Sequence, residues 1–184
     1  MPWKDITAKP DYKILTTNLG KIAILEQGEK VKPVIILLHG CPSDSEEFYH
    51  WYPSLLYTGY RVIGIDQPGY GQSPGPSKSH RSENNLDKGG PVDVVAAVME
   101  NLGIEKAVIA GYDWGAGIAL SFCIKFPKKV EKIVAFMPSY NEKNQDELKT
   151  VSKPCLIEWV KQDQFHIWNK WKKLADKISN KTIE

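Results

Sequence analysis

The chain has 184 residues, 42% of them hydrophobic and 25% charged, enough to bury one sizeable core, so a single globular domain spanning 1–184 is expected. A formal charge of +2 gives no reason to look for nucleic acid or an acidic surface as the main partner. The longest apolar run, Val34 to Leu38, is far short of the roughly 20 residues of a membrane span. Cys41, Cys123 and Cys155 are odd in number without paired spacing, and the amino end lacks the apolar run of a signal peptide. Free thiols in an intracellular, reducing compartment, the cytoplasm by default, are therefore expected.

In chain order, Tyr12 to Thr16 and Lys21 to Glu26 flank Asn18-Leu19-Gly20 and read as an antiparallel hairpin. Val34 to Leu38 is continuous and β-branched, the pattern of a strand buried on both faces, and it ends in His39-Gly40-Cys41-Pro42. Ser43 to Ser45 offers caps for a helix over Glu46 to Tyr57, stopped by Gly59. A second buried strand, Arg61 to Ile65, runs into Asp66-Gln67-Pro68-Gly69-Tyr70-Gly71-Gln72-Ser73. Pro74 to Gly90 is a long surface loop by composition, and Pro91 opens a helix over Val92 to Leu102.

The strand Ala107 to Ala110 then meets Gly111-Tyr112-Asp113-Trp114-Gly115-Ala116-Gly117, a strand-to-helix turn with small residues on both sides of Asp113. A carboxylate at such an apex can attack a carbon electrophile and form an ester. Further along, Lys132 to Phe136 is a strand, Asn141 to Val151 a polar connection, Pro154 to Val160 a strand and about Phe165 to Ile178 a helix. In that helix Ile167, Trp168, Trp171, Leu174, Ala175 and Ile178 recur at helical spacing, an apolar stripe beside a basic face. Alternating strands and helices imply a mostly parallel sheet with helices on both faces and a ligand site at the strands' carboxyl ends. His39, Asp66, Asp113 and Asp163 all follow such ends.

The three segments, in this order and each after a buried strand, resemble the α/β-hydrolases. The elbow Gly-Tyr-Asp-Trp-Gly-Ala resembles the epoxide hydrolase and haloalkane dehalogenase branch. The resemblance implies Asp113 as nucleophile, with the backbone N–H groups of Trp114 and Cys41, in the segment His39-Gly40-Cys41, facing the oxyanion. Trp114 would also line the pocket, and Asp163 would be the acid that orients a catalytic histidine. No metal or cofactor is implied.

Two departures accompany the resemblance. Met137 to Lys153 is too short for a helical lid, so no cap domain is expected, as in small capless α/β-hydrolases. The Gly-His of such enzymes has no counterpart near Lys181 to Glu184, so the last strand and helix are expected to be missing. Of four histidines, His39 lies in the oxyanion segment, His50 in an early helix, His80 in the long loop and His166 three residues past Asp163. Two functions are carried forward. One is a degenerate, weakly active or inactive member of the fold acting as a subunit of an assembly or as a homo-oligomer, joined through an open Pro154 to Val160 edge or the Trp168 and Trp171 surface. The other is an Asp-nucleophile hydrolase of the epoxide hydrolase type on a small apolar substrate.

Overall fold

A computed structural model describes residues 10–75, 89–139, 142–159, 172 and 175–183. Its centre is an eight-stranded sheet. The strands are β1 (Tyr12–Thr17), β2 (Gly20–Gln27), β3 (Val34–Leu38), β4 (Arg61–Ile65), β5 (Ala107–Tyr112), β6 (Val130–Phe136), β7 (Cys155–Glu158) and β8 (Lys181–Ile183). They lie in the order β1-β2-β4-β3-β5-β6-β7-β8. The hairpin β1–β2 is antiparallel and joins β4 antiparallel, while every pairing from β4 to β8 is parallel.

β3 and β4 are buried at every position, as their unbroken apolar sequences require of strands covered on both faces. On one face, α2 (Pro91–Asn101) and α3 (Trp114–Lys125) pack Val95, Val98, Ala119, Leu120 and Phe122 against Ile36, Ile63, Ile109 and Ile133. Ala175 and Ile178 join this layer. On the other face, a 3-10 segment Ser45–Trp51 and the short α1 (Tyr52–Tyr57) bring Phe48 and Tyr52 over Leu25, Leu37 and Val62. The helix anticipated over Glu46 to Tyr57 is thus divided. Pro53 lies in the first turn of α1, where its missing N–H costs nothing, and the preceding turn winds as 3-10. The cap is Asp44, whose carboxylate accepts the Glu46 N–H.

The strand order reverses about β3, with β4 on one side and β5 on the other. The carboxyl ends of β3 and β5 therefore face a common crevice at the switch point, where α/β sheets place their ligands. Between β6 and β7 the described residues carry only a 3-10 helix, Glu142–Thr150, and no cap domain.

One expectation is overturned. The last strand is not missing: Lys181–Ile183 forms β8 and pairs with Cys155, Leu156 and Ile157, and the Cys155 N–H donates to Asn180 O at 2.9 Å. Three residues with no apolar period are enough for a ladder that an existing strand templates, but too few to read as a strand. Consequently β7 is not an edge, and the contact surface expected at Pro154 to Val160 is paired from within the chain at Cys155 to Ile157. Trp168, Trp171, His80, His166 and Asp163 lie outside the described residues. No helix among the described residues is long and apolar enough to cross a membrane.

Candidate active site

Asp113 links β5 to α3 with φ 49° and ψ −115°, a left-handed conformation that a non-glycine residue adopts at a cost of order 1–3 kcal/mol. Close packing enforces it. A Cβ on Gly111 would meet Ala116 N at 2.6 Å, and one on Gly115 would meet His39 O at 2.6 Å and Leu38 O closer still. Both glycines are needed for α3 to press its first turn against β3 and β5. The end of β6 holds the turn as well: the Asp113 N–H donates to Phe136 O, and Ser139 N–H donates to Asp113 O, both at 2.9 Å. The carboxylate thus sits at the amino end of a 12-residue helix, whose unpaired N–H groups present partial positive charge to it.

From the neighbouring strand end, the Cys41 N–H donates to Asp113 Oδ2 at 3.2 Å. This approach explains Gly40, because a Cβ there would meet the Tyr112 ring at 2.9 Å and Asp113 Cβ at 3.1 Å. The Gly40 N–H donates to Glu47 Oε1 at 3.0 Å. His39 is fully buried, and both ring nitrogens are engaged. Its Nε2 accepts the Gln67 N–H at 3.0 Å, which leaves the ring proton on Nδ1, donating to Gly40 O at 2.8 Å. His39 is therefore part of the framework and not a base.

Asp66 is equally buried. Its carboxylate accepts the Ser45 N–H (2.9 Å), the Ser45 hydroxyl and the Gln72 N–H (2.7 Å). Gly71 is required by φ +51° and by the carboxylate against it. The Ser73 hydroxyl donates to Asp66 O and accepts the Ala23 N–H, tying the loop back to β2. The Asp-x-Pro-Gly-x-Gly-x-Ser segment is thus a latch whose carboxylate is consumed by three donors.

Aromatic rings flank the elbow. Tyr70 lies between His39 and Trp114, with ring centroids 5.3 and 5.6 Å away, and the Tyr70 hydroxyl is 3.3 Å from Cys41 Sγ. Trp51 packs against Phe136 at 5.0 Å. Among the expected site residues, the structure brings together His39, Gly40, Cys41, Asp113 and Trp114. Asp163 falls outside the described residues, and His50 is exposed on the 3-10 segment. Reading the sequence missed Tyr70, Glu47 and the Gln67 amide. Tyr70 and Gln67 carried a signal, their place inside the loop motif, and Glu47 carried none.

The cysteines form no disulfide. Cys41 is exposed, while burial pushes the Cys155 thiol up to about 12 and raises Cys123 as well. Among the described residues no three His, Cys, Asp or Glu side chains are arranged to hold a metal ion.

Comparison with known proteins adds the ancestry of this arrangement. Residues 33–154 match the family model described as alpha/beta hydrolase fold. The chain is 38% identical over 137 residues to Epoxide hydrolase 3 of Siraitia grosvenorii, covering 73% of this chain and 40% of that protein. It is 35% identical over 102 residues to Epoxide hydrolase B of Mycobacterium tuberculosis, covering 55% and 28%. The chain thus spans well under half the length of either relative. A predicted CIB-like hydrolase from Thermoplasma acidophilum superposes with a TM-score of 0.85 at 21% identity, over 95% of this chain and 85% of that one, a likeness of fold. Epoxide Hydrolase A from Mycobacterium thermoresistibile gives 0.62 at 28% identity, over 69% and 39%. The matched segment contains the crevice strands, His39-Gly40-Cys41-Pro42, the latch and the elbow, and on that ground the chain belongs to the α/β-hydrolase fold family.

Proposed function

We propose that the chain carries an Asp-nucleophile hydrolase site of the epoxide hydrolase type, acting on a small apolar electrophile. The observation that supports this reading is the Cys41 N–H donated to Asp113 Oδ2. A serine at the apex would need its oxyanion donors aimed at a substrate carbonyl beside the nucleophile. An aspartate nucleophile needs them on its own carboxyl, because water attacks Cγ of the ester that forms there. The donor is on that carboxyl.

In the first step, an Asp113 oxygen attacks a ring carbon of the epoxide. The carbon–oxygen bond of the ring breaks, and the released alkoxide takes a proton from solvent. In the second, water adds to Asp113 Cγ, the oxyanion is held by the Cys41 and Trp114 N–H groups, and the alcohol leaves as the carboxylate reforms. That second step needs a base for the water proton. Of the described histidines, His39 has both nitrogens committed and His50 is on an exposed turn, so the base is assigned to neither. The rings of Trp114, Tyr70, Trp51 and Phe136 suit an apolar substrate.

The competing reading is a non-catalytic subunit; of its two expected contacts, the Pro154 to Val160 edge is paired by β8 at Cys155 to Ile157, and the Trp168 and Trp171 surface lies outside the described residues. The two readings separate cleanly with styrene oxide in water enriched in oxygen-18. The hydrolase reading expects either a covalent adduct on the peptide containing Asp113 or, after turnover, oxygen-18 in the Asp113 carboxyl. Neither should occur in Asp113→Asn. Mass spectrometry finding no adduct and no label in the wild type refutes it.

A further inference from the structure

We propose that His39 is a positioning residue that aims the Cys41 N–H at the Asp113 carboxyl, and that the backbone of Gln67 sets the tautomer with which it does so. The proposal rests on reading that N–H as part of the oxyanion site. Its basis is a chain of bonds crossing three strands' ends: Gln67 N–H to His39 Nε2, His39 Nδ1–H to Gly40 O, and Cys41 N–H to Asp113 Oδ2. The second and third of these bonds are joined covalently. Gly40 O and Cys41 N belong to one peptide unit, which is trans, the cis bond being the next one, Cys41–Pro42. In a planar trans peptide, C=O and N–H point in opposite directions. Holding the oxygen toward the imidazole therefore turns the hydrogen toward Asp113.

The surrounding contacts leave the unit little freedom. Gly40 O also accepts the Ser43 N–H at 3.0 Å, and the preceding peptide is pinned where Gly40 N–H meets Glu47. Rotation about the Gly40 backbone would otherwise be inexpensive, since glycine has no Cβ to oppose it. The imidazole cannot exchange its roles. With the Gln67 N–H aimed at Nε2, a proton on that nitrogen would face another donor, and Gly40 O would lose one. The ring is held by the Tyr70 and Trp114 rings, 5.3 and 6.4 Å away. Donation to Gly40 O also polarises the peptide, and linked bonds of this kind strengthen one another by roughly 10–30%.

Two substitutions divide the imidazole's functions. The amide nitrogen in His39→Asn takes the place of Nδ1 and can still donate to Gly40 O. The amide oxygen in His39→Gln takes the place of Nε2 and can accept from Gln67 but leaves Gly40 O without its side-chain donor. In nitrogen-15 spectra of the whole protein, the expected result is His39 protonated at Nδ1 and bare at Nε2. The Cys41 amide proton should shift in Asp113→Asn and in His39→Gln, and hold its position in His39→Asn. With an epoxide, His39→Gln should slow hydrolysis of the Asp113 ester by ~10²-fold, the usual effect of losing one oxyanion donor, while ester formation changes little. His39→Asn should restore it.

A proton on Nε2 in the wild type overturns the proposal whether or not any variant folds. So does a folded His39→Gln whose Cys41 amide resembles the wild type. Correct tautomer and amide shifts with no ester ever formed on Asp113 would uphold the positioning and refute the hydrolase reading instead.

Discussion

Gly115→Ala concentrates the structural argument for the site in one methyl group. The new Cβ would lie 2.6 Å from His39 O and closer to Leu38 O, both backbone atoms at the end of β3. Ordinary contact begins near 3.4 Å, and neither oxygen belongs to a flexible side chain, so α3 must withdraw from β3 by ~1 Å. Overpacking of this kind costs about 1–3 kcal/mol, and at ~2–4 °C per kcal/mol for a chain of this size the melting temperature should fall by roughly 2–12 °C. The movement also parts Asp113, which caps α3, from Cys41, on β3's extension. A misplacement of ~1 Å costs on the order of 10²-fold in rate, so under the proposed hydrolase function ester formation should fall further than stability does. Thermal unfolding by circular dichroism and ester formation by intact mass measure the two effects. Gly75→Ala is the control, since among the described residues nothing lies nearer than 4.0 Å to a Cβ there, and it should stay within ~0.5 kcal/mol of wild type. A Gly115→Ala protein with wild-type melting temperature and rate would refute the packing account of the elbow.

Glu26 bridges Lys13 and the buried Arg61 across β1, β2 and β4. Burial raises its carboxyl pKa, but the Lys13 and Arg61 bonds and charges outweigh it, and the net shift is downward. Its contribution is therefore full above the unfolded carboxylate value of ~4.3 and lost as pH falls through the lower folded value. Glu26→Gln should cost about 3 kcal/mol near neutral pH by leaving Arg61 uncompensated, a deficit that narrows below ~pH 4, as urea unfolding at several pH values will measure. A thiol reagent at mild alkaline pH should modify Cys41 in the native protein and reach Cys123 and Cys155 only after denaturation, because both are buried with raised pKa values. Thr182→Pro removes a ladder N–H from β8, so amide exchange at Cys155 and Ile157, whose N–H groups lie on the β8 side of β7, should accelerate at least tenfold, and unchanged protection there would contradict the β7–β8 pairing.

What the sequence discloses depends on how far each cause reaches along the chain. Val34 to Leu38 and Arg61 to Ile65 announce buried parallel strands because every residue in them faces a covered surface. The elbow is legible because its glycines must sit within two residues of Asp113 for α3 to pack. β8 is not legible: Lys181, Thr182 and Ile183 become a strand because β7 is already beside them, a cause about 25 residues away with no local signature. The same holds for His39. Its sequence neighbours resemble an oxyanion segment, but the partner of its Nε2 is the Gln67 amide, which the sheet delivers from β4. Asp66 follows a strand end just as Asp113 does, but it is a latch because Ser45 and Gln72 return to it.

The crevice between β3 and β5 also bears on how the protein folds. Leu38 pairs with Gly111, and closing a loop of roughly 70 residues costs about 4 kcal/mol of chain entropy before that pairing repays anything. Asp113 and Cys41 therefore have no proximity until the centre of the sheet exists, and no local hairpin or helix can preassemble them. Such non-local parallel pairings form slowly. They also make the crevice part of the main cooperative unit, unlike the hairpin at the sheet's edge, which can fray alone. Heating should leave Asp113 and Cys41 together until the whole β3–β5 centre melts.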